Sequence, residues 1–535
     1  MTSSSRFMVM RHTYGRREVL TRLAAATALT VLTASVAACA DGAGTGGSPT
    51  ARLTLAAPRD LAAGPRDPYF VHQSLGVWEP LVALDERLRP VPALATGWTS
   101  AEQGRKWTFR LREDVVFSDG SPLTAQAAVT SIQRLRAIAP RQSAYFSLDE
   151  GMEAAYGELT RLDAEENAVV FTLAEPVADL PAKLAGFFSM IQAPSAFTTG
   201  GDFAGDPVGT GPYTLASWTK GQRLELRANP RYRGPRPAYA TVEVRTIPDA
   251  NARVAALRAG EVDGLFDKGA LLPGQVTAVA ADPRYRVVQT PSALTHYLTF
   301  NSSRPPFSDP RLREAADLAI DRAGIARTLL AGTAAPGGAF LSPAFGDLAA
   351  PGITARHDPA RARELVAAAG APAEPVTILI SSAETGQFPY TDIAEVLRAA
   401  FEDAGLPARV EVTEATKTAM EAGRYDVFLS AYSVPNGDPD YLFRRFLRSD
   451  AAWNVERRLG YRDTTFDGLI DRAAATGDAA RRRELYHEAQ RLLAADRPMT
   501  PLAYQANPVV TRAGVRGLTQ TASYLVDLGR LEPAG

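Results

Sequence analysis

The chain has 535 residues, 46% of them hydrophobic, with 58 Lys and Arg set against 59 Asp and Glu for a net charge of -1. A balance this near neutrality gives no electrostatic case for nucleic acid or strongly acidic substrates as partners. Cys39 is the single cysteine, which excludes disulfides and thiolate metal sites from everything that follows it.

In chain order, the first feature is an export signal. In "RHTYGRREVLTR", Arg11, Arg16, Arg17 and Arg22 precede a mostly apolar run from Leu23 to Ala38. That run is short for a membrane span and ends in small side chains. The pair Arg16–Arg17 resembles a twin-arginine signal, with general export as the alternative. Val36-Ala37-Ala38-Cys39 resembles the lipobox of bacterial lipoproteins, which implies that the Cys39 thiol is acylated. Residues 1–39 then form the signal and residues 40–50, "ADGAGTGGSPT", a flexible tether. Ordinary cleavage beside an incidental cysteine is the bland alternative. No later segment has the unbroken apolar length of a transmembrane helix, so a soluble body is expected.

The chain beyond Cys39 is too long for one core and is expected to divide into lobes. "RLTLAA", "KWTFRLR", "AVVFTLAE", "RLELRA" and "TVEVRTI" alternate β-formers between turn residues and predict strands. Thr124 predicts a helix cap, with Ala128, Ile132 and Leu135 on the apolar face. "YLTFNSSRPPFSDPRL" predicts an edge-like strand, a double-proline turn and a helix capped by Asp309 before Pro310. "VTILISS" reads as a buried strand. A helix follows with Ile393, Val396, Leu397 and Phe401 on one face and Gly405 as its stop. "ARVEVTE" and "YDVFLSAY" complete a βαβαβ order, whose strand ends should open onto a crevice. "ELYHEAQRLLAAD" reads as a helix and "MTPLAYQANPVVTRAGVRGL" as strands that return to the first lobe.

No nucleophile elbow, His-Glu-x-x-His, phosphate loop or dinucleotide glycine triplet occurs. The histidines His12, His72, His296, His357 and His487 are scattered without ligand spacing. "EPLVALDERLRPVPALATGW", "KWTFRLREDVVFSDGSPLTAQAAV", "GTGPY", "IPDANARVAALRAGEVDGL", "YLTFNSSRPPFSDPRLREAADLAIDR", "DPARARELVAAAG" and "GYRDTTFDGLIDRA" stand in this order. Together they resemble the extracytoplasmic solute-binding proteins of ABC importers, family 5, the peptide and nickel family. "LLPGQV" and "PRYRVVQ" look closest to its nickel-binding branch.

The resemblance implies an α/β, two-lobed periplasmic-binding-protein-like fold of type II with an extra subdomain in the first lobe. It places lobe I at 51–292, lobe II at 293–497 and a return to lobe I at 498–535, with hinge crossings near 290–294 and 495–502. It implies a monomeric receptor without cofactor or metal site, partnered by a peptide or small-molecule ligand and by ABC permease and ATPase subunits. Such a receptor is lipid-anchored on the outer face of the membrane or periplasmic, and non-catalytic. The peptide branch holds the ligand's ammonium with an aspartate whose place is taken here by Pro435. The nickel branch carries aromatics where Ser433 and Gly437 stand, and a downstream histidine that "FLRSDAAWN" lacks. Arg141 with Tyr145, in "APRQSAYFSL", matches that branch's carboxylate-binding segment. Tyr432, Asn436, Trp453 and His72 are further cleft candidates. The rivals to this reading are an extracellular surface hydrolase and a ligand-presenting signalling receptor.

Overall fold

The computed structural model describes residues 51–61, 75–138, 159–185, 189–199, 207–434, 436–523 and 525–532. Cys39, His72, Arg141, Tyr145 and Pro435 lie outside these. Among the described residues an eleven-stranded sheet runs through both lobes. Its order is Tyr213–Thr219, Arg223–Ala228, Thr241–Thr246, Arg52–Ala57, Gly264–Leu265, Met499–Arg512, Tyr285–Phe300, Val427–Tyr432, Val376–Ser381 and Ala408–Thr413, with Ala334–Pro336 pairing beside Met499–Arg512. A separate four-stranded antiparallel sheet, Ala95–Ala101, Lys106–Leu111, Ala168–Leu173 and Leu159–Glu165, forms the extra subdomain.

Two long antiparallel strands join the lobes. Tyr285 to Pro291 pairs with Ala506 to Arg512, and Thr295 to Thr299 with Met499 to Tyr504, with a pairing irregularity between Pro291 and Thr295. Residues on one side of that irregularity pack with the first core. Val509, Val515, Leu518, Val526 and Leu528 share it with Leu53, Phe109, Tyr213 and Val242. Leu298, Phe300 and Leu502, on the other side, pack with Ile378, Leu397 and Leu429.

Local chemistry accounts for the elements. Thr124 Oγ1 accepts from Ala127 N at 3.0 Å at the start of Ala125–Ile138. The Asp309 carboxylate accepts from Arg311 N at 2.9 Å to open Pro310–Ala319. Gly405 has φ +87°, the left-handed turn that ends Tyr390–Asp403. Within "GTGPY", a Cβ on Gly209 would stand 2.0 Å from Val77 O and one on Gly211 2.4 Å from Gly76 O. Only glycine lets these two backbones touch.

Two expectations are corrected. Val396 is 43% exposed while Ile393, Leu397 and Phe401 are fully buried. Tyr390 and Ala394 complete the buried face instead, because Val396 sits off the stripe once the helix is docked on the sheet. The strand "YLTF" is interior, hydrogen-bonded on one side to Val427–Tyr432 and on the other to Met499–Arg512.

Candidate functional site between the lobes

In the second lobe, Val376–Ser381 and Val427–Tyr432 run parallel, so their C-terminal ends open at the same margin of the sheet. Past the first strand, the short helix Ser382–Thr385 presents Glu384. Its carboxylate accepts from Ser430 Oγ at 2.9 Å and, at 3.5 Å, from Ala431 N. Burial pushes the Glu384 carboxyl above its ordinary range, with Lys268 and Ser430 opposing.

Lys268 comes from the first lobe. Arg52–Ala57 and Gly264–Leu265 are parallel there, and the loop after the second strand carries Asp267, Lys268 and Gly269. The loop is held from several sides. Arg59 donates to both oxygens of Asp267, at 2.7 and 3.1 Å. Arg253, 1% exposed, donates to Gly269 O at 2.7 Å and Ala270 O at 2.9 Å, and also to Ile247 O and Pro248 O. Asp267 takes φ +84°, a conformation that these contacts impose. Arg253 belongs to the "IPDANARVAAL" string, whose Asp249 caps the helix by accepting from Ala252 N at 2.7 Å.

The Lys268 ammonium lies 5.1 Å from the centre of the Phe388 ring in the second lobe. A Cβ on Gly269 would stand 3.3 Å from Gln387 Cβ, so the lobes touch here. A cavity of about 20 Å³, room for one water, lies among Lys268, Gly269, Gln387, Phe388 and Gln505. Burial lowers the Lys268 pKa, with Glu384 opposing. Behind this margin His296 is fully buried, with Nδ1 2.7 Å from Tyr390 Oη and Nε2 2.9 Å from Gln505 Oε1. Burial, with Lys268 adding to it, pushes this imidazole down to about 4. It is neutral at pH 7.

Of the candidates drawn from sequence, Tyr432 ends its strand at this margin, only partly buried. It packs against Phe446 at 4.7 Å, Trp453 at 5.8 Å and Tyr297 at 6.2 Å between ring centres. Trp453 is 5% exposed and Asn436 4%. Asn436 Oδ1 accepts from Asp438 N at 3.3 Å. Trp453 thus backs Tyr432, while Asn436 holds the turn that follows the strand. Gly437 has φ +69°, and a Cβ there would meet Leu84 at 2.9 Å and Leu88 at 3.1 Å, which explains why no aromatic fills that place.

A second charged junction was not visible in sequence. Arg482 donates to both oxygens of Asp438, at 2.6 and 2.9 Å, and Arg444 Nε to Asp440 Oδ2 at 3.2 Å. From the first lobe, Asp179 and Lys183 flank Leu180, which packs in the first core. Lys183 Nζ lies 3.5 Å from Asp179 and from Asp440, and Arg482 lies 3.5 Å from Asp179. A cavity of about 550 Å³ elsewhere, lined by Arg322, Gly338, Ile353, His357 and Tyr504 among others, shares none of Lys268, Glu384 or Tyr432. Among the described residues no group of three or more His, Cys, Asp or Glu could hold a metal ion, and no helix is long and apolar enough to cross a membrane.

Cores to either side of two crossing strands, and strand ends from both sides brought to one margin, define a two-lobed binding protein. The family model for bacterial extracellular solute-binding proteins, family 5 Middle, matches residues 89–454, and the chain belongs to that family. Its members are transport binding proteins and not enzymes, which sets the hydrolase reading aside. The chain is 28% identical to the di/tripeptide-binding protein 2 of Pseudomonas aeruginosa (strain UCBPP-PA14), over 96% of this chain and 98% of that protein. It is also 28% identical to the probable D,D-dipeptide-binding periplasmic protein DdpA of Escherichia coli (strain K12), over 75% and 77%. Among solved structures, NikA from Brucella suis in complex with Fe(III)-EDTA is similar with a TM-score of 0.80 and 26% identity, covering 90% of this chain and 99% of that one.

Proposed function

We propose that this protein is the lipid-anchored receptor of an ABC importer, tethered through Cys39 and closing its lobes over a small peptide or a metal-chelator complex. The observation that carries it is the meeting of Lys268 from one lobe with Glu384, Phe388 and Tyr432 from the other at the strand ends. Charged and aromatic groups from both lobes thus gather at one margin of the sheet. The names of the two peptide-binding relatives and the chelate bound by the similar NikA support the two ligand classes. Arg141, with Tyr145, takes a ligand carboxylate; Tyr432 and His72 line the cleft, with Asn436 and Trp453 close by. We place the lobes at 51–292, 293–497 and the return from 498, with hinge crossings near 290–294 and 495–502; the pairing irregularity between Pro291 and Thr295 supports the first.

Calorimetry with L-alanyl-L-alanine and its C-terminal amide tests the carboxylate anchor. Arg141→Ala should weaken the free acid roughly 30- to 1000-fold, and Arg141→Lys should recover little of that, because lysine lacks the fork. Equal binding of acid and amide would overturn the anchor. Cys39→Ser should release the protein from the membrane fraction, and an unchanged fraction would overturn the lipid tether.

A further inference from the structure

Glu384 and Lys268 are partly buried charges at the strand ends: Ser430 and Ala431 donate to the Glu384 carboxylate and the Phe388 ring lies by the Lys268 ammonium, but among the described residues neither stands in an ion pair. The loop that carries Lys268 is fixed by Arg253 and by the Arg59–Asp267 pair, and the ammonium lies 5.1 Å from the centre of the Phe388 ring. Glu384 is steadied by Ser430, one strand position from the main-chain neighbour of Tyr432. The two charges sense each other across the lobes, yet the described residues contain no ion pair between them. A carboxylate at a cleft margin, with a hydroxyl donor behind it and an aromatic ring beside it, is the chemistry that receives an ammonium group.

We propose that Glu384 is the ammonium receptor of the cleft, taking over the role left empty by Pro435, so that the ligand carries a free amino group. Lys268 stands opposite as the first lobe's cation and faces the ligand's carbonyl or carboxylate oxygens. This rests on the receptor reading above and narrows it to ligands of the peptide type. A metal chelate whose nitrogens are all tertiary or metal-bound offers Glu384 nothing. Sequence alone does not single out Glu384, because its neighbours Ser430 and Lys268 come from distant segments.

The test uses the full chain and three probes: a mixture of unmodified di- and tripeptides, the same mixture N-acetylated, and Fe(III)-EDTA. Native mass spectrometry shows which species are retained, and calorimetry gives affinities. The expected result is that unmodified peptides bind and acetylated ones bind about 10- to 100-fold more weakly. Glu384→Gln should lose a similar factor for unmodified peptides and nothing for acetylated ones. Blocking the probe leaves the protein untouched, so a misfolded variant cannot imitate the outcome. Acetylated peptides binding as tightly as unmodified ones, or Glu384→Gln within twofold of wild type, overturns the assignment of Glu384 while the receptor reading stands. Retention of Fe(III)-EDTA alone overturns the assignment and leaves the chelate arm of that reading. If nothing in any mixture binds, both fall together.

Discussion

The two lobes meet at two charged places that handle their charges differently. At the junction of Asp179, Lys183, Asp438, Asp440, Arg444 and Arg482, three anions face three cations. The cations are held more firmly protonated than usual, each by the carboxylates beside it. Asp440 is likewise held below its ordinary range by Lys183 and Arg444 against its burial. Between Lys268 and Glu384 burial prevails on both groups, with the acid pushed up and the base pushed down, whereas among the six residues of the first junction it prevails only at Asp179. A junction that compensates itself holds structure, whereas one that leaves opposite charges incompletely compensated is suited to an incoming charge.

The largest effect that separates the two should come from Arg482→Ala. It strips Asp438 of a bidentate partner in a nearly closed site, where lone buried charges cost about 3–5 kcal/mol. Denaturant unfolding checks this, and a loss below about 1 kcal/mol would break the contrast. Glu384→Gln should change the same unfolding midpoint little while lowering affinity for unmodified peptides.

The self-compensated junction should also show itself in pH. Neither Asp179 oxygen accepts a hydrogen bond among the described residues, and burial outweighs its two ion pairs at 3.5 Å, pushing its carboxyl up to about 6. A raised acid binds its proton in the folded state before the unfolded one does. Its contribution to stability is therefore greatest below the unfolded value near 3.8 and declines as pH rises through about 6. Thermal melts of Asp179→Asn should lie progressively above wild type between those two pH values and run parallel to it above. A difference that shrinks with rising pH would contradict this.

Much of the fold was legible because its determinants are local. The strands around Leu53 and Ile378, the Thr124 and Asp309 caps and the Gly405 stop each follow from a short stretch of side chains. Val396 was misplaced because an apolar residue at i+3 lies at the margin of the buried stripe, and docking decides its side. The site was less legible because its parts are distant. Lys183 and Asp440 stand 257 positions apart, and nothing near Lys268 announces that Arg253 will hold its loop. The position of Tyr432 at the sheet margin was legible because it ends a strand that sequence could place.

Smaller effects follow. Gly437→Ala should cost about 1–2 kcal/mol, since φ +69° and the approach of Leu88 both oppose a side chain. Val396→Thr should stay within about 0.5 kcal/mol, as an exposed position with no listening partner in the core requires. Reversal of that order in denaturant melts would mean that the helix packs with Val396 inward.

The ligand itself gives the most direct test. Native mass spectrometry of protein purified from its own host, followed by amine-specific labelling of whatever is released, reads the chemistry at Glu384. The expected species is a small peptide-type molecule with a free amino group. A co-purified ligand without any amine, held at full occupancy, would contradict the assignment of Glu384.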